Sequence, residues 1–152
     1  MYSTLIIYHT YFRWLVLASL LYAIFISYKG YTTQKPFTKT DDMVRHWTAT
    51  IAQIQLMIGM VLYFNNPMIK YFWTNLNEGI ANMNVAFFSL IHITLMFTAI
   101  MLITFGSALS KRKPTSEENF RTILVWFSIA LFIIIIAIPW PFSPLAARPY
   151  IR

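Results

Sequence analysis

Four stretches of the chain run almost without polar interruption. The first extends from about Leu5 to Tyr28, the second from about Trp47 to Phe64, the third from about Val85 to Leu109 and the fourth from about Thr122 to Trp140. Each is long enough to cross a hydrocarbon layer of about 30 Å as a helix. Strands of a closed barrel would alternate apolar and polar positions, and these stretches do not, so the pattern predicts helices that satisfy their backbone internally. Asn65, Asn66 and Pro67 stop the second span, Lys111 to Pro114 the third, and Pro139 to Pro144 the fourth. The connections are short, which predicts an all-α, antiparallel bundle of four transmembrane helices as a single domain over residues 1–152. The segment from Lys70 to Asn82, with Tyr71, Phe72 and Trp73, reads either as a short interfacial helix or as a connecting loop.

Basic residues set the expected topology. Lys29, Lys35, Lys39 and Arg45 lie between spans one and two, and Lys111, Arg112, Lys113 and Arg121 between spans three and four, whereas the middle connection carries Lys70 alone. The positive-inside rule then places both basic loops in the cytoplasm and both chain ends on the periplasmic side of a bacterial inner membrane, with Arg148 and Arg152 as a minor contrary signal. No basic residue precedes the first span and its apolar stretch is long, so it reads as a retained helix rather than a cleaved leader.

Composition narrows the chemistry. The chain is 58% hydrophobic and 11% charged, the profile of a polypeptide whose solvent is mostly lipid. Its net charge of +7 sits in short loops beside the spans, which makes it a topology signal and not a nucleic-acid footprint. With no cysteine, disulfides, iron–sulfur clusters and covalent haem attachment are excluded. Catalytic serine, metalloprotease and paired-carboxylate arrangements are absent from the spans, and no glycine-rich nucleotide loop occurs.

Ionisable residues within a span are costly to hold there, by about 2.5–3.5 kcal/mol for charged types, and are functional suspects by default. His9 and Arg13 lie on the first span and His92 on the third, while all five acidic residues are assigned to loops. At 1.5 Å per residue His9 sits roughly 8 Å and His92 roughly 11 Å below the outer boundary, so the imidazoles share a level. Two neutral histidines at one depth on separate helices suit the axial positions of a haem b. Arg13 lies four residues after His9 on the same helical face, where a haem propionate could meet its charge; snorkelling, Glu78 or the terminal carboxylate are the ordinary alternatives. For each histidine the ordinary alternative is a hydrogen bond to a neighbouring helix. His46, at the mouth of the second span, reads as interfacial. Gln53, Met57 and Met60 share a helical stripe expected to face inward, as core or as the border of a cofactor.

Several stretches in this order resemble a family of small four-helix, cytochrome b-like membrane proteins of Bacteroidetes-type bacteria. They are His9, Arg13 and Trp14 in HTYFRW, Gln55 to Phe64 in QLMIGMVLYF, His92 to Gly106, and the IPWPF that begins at Ile138. The resemblance spans essentially the whole chain. Such proteins typically carry histidine where this chain has Gln53, and glutamate–histidine where it has Ile91 and His92. If the family's ligands were the histidines of spans two and three, this chain has lost one of them; if they are His9 and His92, the site is intact.

Two functions are therefore expected. The first is a one-haem membrane protein of electron transfer, with His9 and His92 as iron ligands, Arg13 at a propionate, and a redox partner or a quinone at the outer face. The second is a cofactor-free accessory subunit of a larger inner-membrane complex. Broken helices and midplane polar clusters are missing, which disfavours a transporter.

Overall fold

The computed structural model describes residues 2–146, 148 and 149. Helix α1 (Tyr2–Thr32) is followed by α2 (Lys39–Phe64), three short helices α3 (Pro67–Thr74), α4 (Leu76–Ala81) and α5 (Met83–Ala86), a π-helical turn at Phe87–Ile91, and then α6 (His92–Lys111) and α7 (Ser116–Ala137). Four helical stretches, the third running unbroken from Met83 to Lys111, are long and apolar enough to cross a membrane. Consecutive spans pack against each other and α7 closes back on α1, completing a four-helix ring. This is a multi-pass, all-α membrane bundle, as the apolar pattern predicts.

The seams carry mostly small or branched side chains with a few buried phenylalanines, and many large side chains point outward. Val16, Leu20 and Ala23 of α1, Ala49 and Ala52 of α2, Ala99 and Ile103 of α6, and Phe127, Ala130 and Ile134 of α7 form the core. Phe25, Met57 and Phe132, by contrast, are 60%, 66% and 66% exposed. In water such exposure would be a liability, but across a membrane span it is the lipid-facing surface.

Polar residues close the end of the bundle that holds Lys35 and Lys111. Thr38 caps α2 in a reciprocal box with Asp41, whose carboxylate also takes an ion pair from Lys35 at 2.9 Å. Arg45, 5% exposed, pairs with Asp42 and donates to the hydroxyl and carbonyl of Ser107 on α6. These contacts extend α2 eight residues before the expected Trp47, because a capped, ion-paired turn is stable as helix without being apolar. The acidic residues accordingly lie in first helical turns and not in loops: Asp41 and Asp42 in α2, Glu78 in α4, Glu117 and Glu118 in α7.

At the opposite end the segment after span two is helical, which settles the choice between helix and loop. Asn66 caps α3 by accepting from the Met68 amide, and Pro67 opens the helix. Ile69 and Phe72 anchor it, while Trp73, Leu76 and Ile80 remain exposed along the rim. The Tyr71 hydroxyl donates to Glu78 at 2.5 Å, and this bond to a carboxylate holds the phenol above its usual pKa.

One glycine decides how closely two spans approach. A β-carbon on Gly106 of α6 would overlap Cβ of Trp126 on α7. Only the missing side chain permits that approach. Gly106→Leu should therefore push α6 from α7 and destabilise the fold by about 1–3 kcal/mol. An unfolding midpoint in denaturing detergent equal to that of the unaltered protein would show that the seam is looser than described.

Candidate functional site

A cleft of about 210 Å³ opens at the end of the bundle that carries the chain's amino terminus. His9, Arg13, Gln55, Gly59, His92 and Met96 form its inner wall, and Tyr2, Met68 and Arg148 its mouth. Every residue predicted from the sequence as a site residue lines this one cleft.

The two imidazoles face each other across it. Their ring centres lie 6.5 Å apart with planes inclined at 70°. An iron bonded to one nitrogen of each ring at about 2 Å sets the centres roughly 6 Å apart, so the spacing matches a bis-imidazole pair, although an edge-to-face aromatic contact spans the same range. The equal depth inferred from residue counting on two helices is thus realised as direct apposition.

His92 owes its orientation to the π-helical turn. Its backbone N–H bonds to the Phe87 carbonyl, one residue further back than in an α-helix. One inserted residue rotates everything after it by about 100°, and such turns are frequent at functional positions. The turn also leaves the Ser89 carbonyl to accept from the Tyr63 hydroxyl at 3.0 Å, and Trp73 Nε1 donates to the same hydroxyl at 3.0 Å. His92 Nδ1 lies 2.8 Å from the carbonyl oxygen of Ala137 on α7. A carbonyl cannot donate, so Nδ1 carries the proton and Nε2 keeps its lone pair. That carbonyl is available because α7 ends at Ala137. The hydrogen bond to a neighbouring helix, weighed from the sequence as the ordinary role of a membrane histidine, is present, and it is also the outer contact that a metal-bound histidine normally makes.

His9 is held differently. Gln55 Nε2 donates to the His9 carbonyl at 2.9 Å, fixing the backbone, but the buried His9 Nδ1 has no hydrogen-bond partner among the described residues. Gly59 faces the ring, where a β-carbon would stand 3.2 Å from His9 Cε1. Any larger residue at position 59 would crowd the imidazole and shift it by a few tenths of an ångström. Arg13 follows one turn along α1, its guanidinium 5.4 Å from the Trp14 ring centre. Of the alternatives for its charge, Glu78 takes the Tyr71 hydroxyl, and the terminal carboxylate lies outside the described residues.

Two positions depart from the sequence reading. Gln53 and Met57 do not face inward but outward, Met57 being 66% exposed; the inner face of α2 is the stripe of Ala49, Ala52, Gln55 and Gly59. Small residues mark the seam of a membrane bundle, and that signal was present in the sequence beside the more conspicuous methionines. Gln55 and Gly59 are the functional residues it would have found. The π-helical turn and the Ala137 carbonyl have no sequence signature. His46, exposed beside Trp47, has no part in the site.

Fold and cleft together define the class: a helical, multi-pass membrane bundle with two apposed histidines near one end. No protein-family model, curated protein or solved structure matches the chain.

The chain has only three histidines, which makes the tautomer testable. Nitrogen-15 spectra of histidine-labelled protein in lipid, assigned with His9→Ala, His46→Ala and His92→Ala, should show His92 protonated at Nδ1 and bare at Nε2. The reverse tautomer would remove the Ala137 contact.

Proposed function

We propose that the protein is a small membrane cytochrome that holds one haem b between His9 and His92 and serves electron transfer. The carrying observation is the pair of imidazoles 6.5 Å apart, one of them locked with its Nε2 lone pair free by the Ala137 carbonyl. The His9 Nδ1, which has no hydrogen-bond partner among the described residues, supports the same reading. No group of three or more His, Asp or Glu side chains able to hold a bare metal ion occurs among the described residues. That suits a cofactor that brings four ligands of its own and asks two of the protein.

Bound there, haem supplies a one-electron iron couple. The protein's contribution is position and surroundings. His9 and His92, on separate helices, would hold the group, and Gln55 and Ala137 hold the two histidines in turn. Leu56, Ile93 and Met96 line the cleft with apolar surface that excludes water. Arg13 places a guanidinium in the wall, suited in shape and charge to a propionate. The resemblance to small cytochrome b-like proteins points the same way, with His9 and His92 as the ligand set retained here. In this reading the basic loops are cytoplasmic, the cleft opens toward the periplasmic face of the inner membrane, and a redox protein or a quinone exchanges electrons there.

One observation favours a second reading, a cofactor-free accessory subunit of a larger inner-membrane complex. The cleft of about 210 Å³ falls below the roughly 300–1,000 Å³ usual for small-molecule sites, so a porphyrin requires side chains of the cleft lining to give way.

A reduced-minus-oxidised spectrum of the purified protein separates the two. The cytochrome reading expects a sharp b-type α band, lost in His9→Ala and in His92→Ala and retained in His46→Ala. Arg13→Gln should keep the band but shift the midpoint potential, because it removes a charge beside the site. A folded, colourless preparation that takes up no added haem selects the accessory subunit.

A further inference from the structure

The outward face of α2 is not an ordinary lipid surface. His46, Thr50, Gln53, Met57, Met60 and Phe64 follow one another in steps of four, three, four, three and four residues. This is the spacing of the contact seam in a left-handed coiled coil. Along that stripe His46, Gln53, Met57 and Phe64 are exposed and Thr50 and Met60 half-buried, so the described residues leave most of it uncovered.

Gln53 makes the stripe costly to leave facing lipid. It lies near the middle of α2. Its Nε2 donates to Thr104 Oγ1 at 3.1 Å, and Thr104 in turn donates to the Ile100 carbonyl. A side-chain amide has two N–H donors and a carbonyl with two lone pairs. One donor is used, and the carbonyl and second donor have no partner among the described residues. Acyl chains offer neither kind of partner.

The group that answers both is another amide. Copies of one chain insert in the same orientation, so a two-fold axis along the membrane normal brings their α2 helices together in parallel. In a parallel pair like meets like at every seam position, and Gln53 falls opposite Gln53, each carbonyl accepting from the other's free N–H. A single polar seam residue of this kind fixes register, and the flanking methionines adapt to the surface they meet. We infer that the α2 stripe centred on Gln53 is the interface of a parallel dimer of this protein. It lies on the side of α2 away from His9 and does not depend on haem.

The chain contains no cysteine, so single-cysteine variants report the contact without background. In native membranes under mild oxidation, Gln53→Cys and Met57→Cys should form covalent dimers of twice the 17.8 kDa chain mass. Ile54→Cys, next in sequence but about 100° round the helix, and Phe132→Cys on α7 should remain monomeric. Sedimentation equilibrium in detergent should show the dimer dissociation constant of Gln53→Leu raised about threefold to tenfold, the lost reciprocal pair of interhelical hydrogen bonds together being worth about 0.6–1.4 kcal/mol. The inference is overturned by equal cross-linking at all four positions, by none at residues 53 and 57, by an adduct of any other mass, or by an unchanged dissociation constant in Gln53→Leu.

Discussion

A hydrogen-bonding group inside a bilayer must find its partner within the protein, because the surrounding hydrocarbon supplies none. This constraint organises the bundle more than any apolar contact does, since lipid tails solvate a leucine as well as another helix does. The polar side chains of the spans accordingly bind adjacent helices together. Arg45 of α2 reaches Ser107 of α6, Gln55 of α2 reaches the His9 carbonyl of α1, and His92 of α6 reaches the Ala137 carbonyl of α7. With the Ser110 hydroxyl bonded to the Asn119 carbonyl, each of these seams has a polar tie at a defined height. Where a group is left over, as at His9 Nδ1, the constraint itself identifies a position with unmet binding capacity.

The histidine pair shows how such ties become a site. Histidines on two helices need only similar depth to be neighbours, but their rings meet usefully only if each helix is turned to the right angle. On α1 the angle follows from regular helical geometry and from Gly59, which leaves room for the ring. On the third span it depends on a local fault in the helix. The π-helical turn supplies the rotation, and its buried Ser89 carbonyl accepts from Tyr63, itself bonded to Trp73. The rim helix α3 is thereby connected to the orientation of His92 through two hydrogen bonds, so the cap over the cleft is part of the architecture that aims the ring.

The number of spans, their order, and the common depth of His9 and His92 were legible because they rest on hydropathy and on the fixed rise of a helix, both of which survive any change of packing. Rotation about the helix axis was not legible to the same degree. Gln53 and Met57 form the more conspicuous stripe, yet the seam belongs to the smaller Ala52 and Gly59 on the other side of the same helix. In water the larger apolar residues would have been the better guide to the interior. In lipid the rule inverts, since bulk outside costs nothing and small residues inside permit close approach. The early start of α2 was hidden for a related reason: apolar runs mark only the part of a helix that lipid touches, whereas Lys39 to His46 is held by caps and ion pairs. The π-helical turn, decided by packing and not by composition, left no mark at all.

These two lessons meet on α2. Gln53 and Gln55 are the same residue type two positions apart, and therefore about 200° apart round the helix. Gln55 is 9% exposed and spends one N–H on the backbone of α1, with its buried carbonyl unmatched beside the histidine cleft. Gln53 spends one N–H on α6 and directs its remaining capacity away from the bundle. Composition treats the two as equal, and burial separates them. For Gln55 the unmet group lies at the cleft, where a bound molecule or water can reach it. For Gln53 it faces the membrane, where only another polypeptide can approach with a polar group. One helix thus divides two kinds of recognition between opposite faces, and the lipid between protein molecules is what makes the outward amide as demanding of a partner as the buried one.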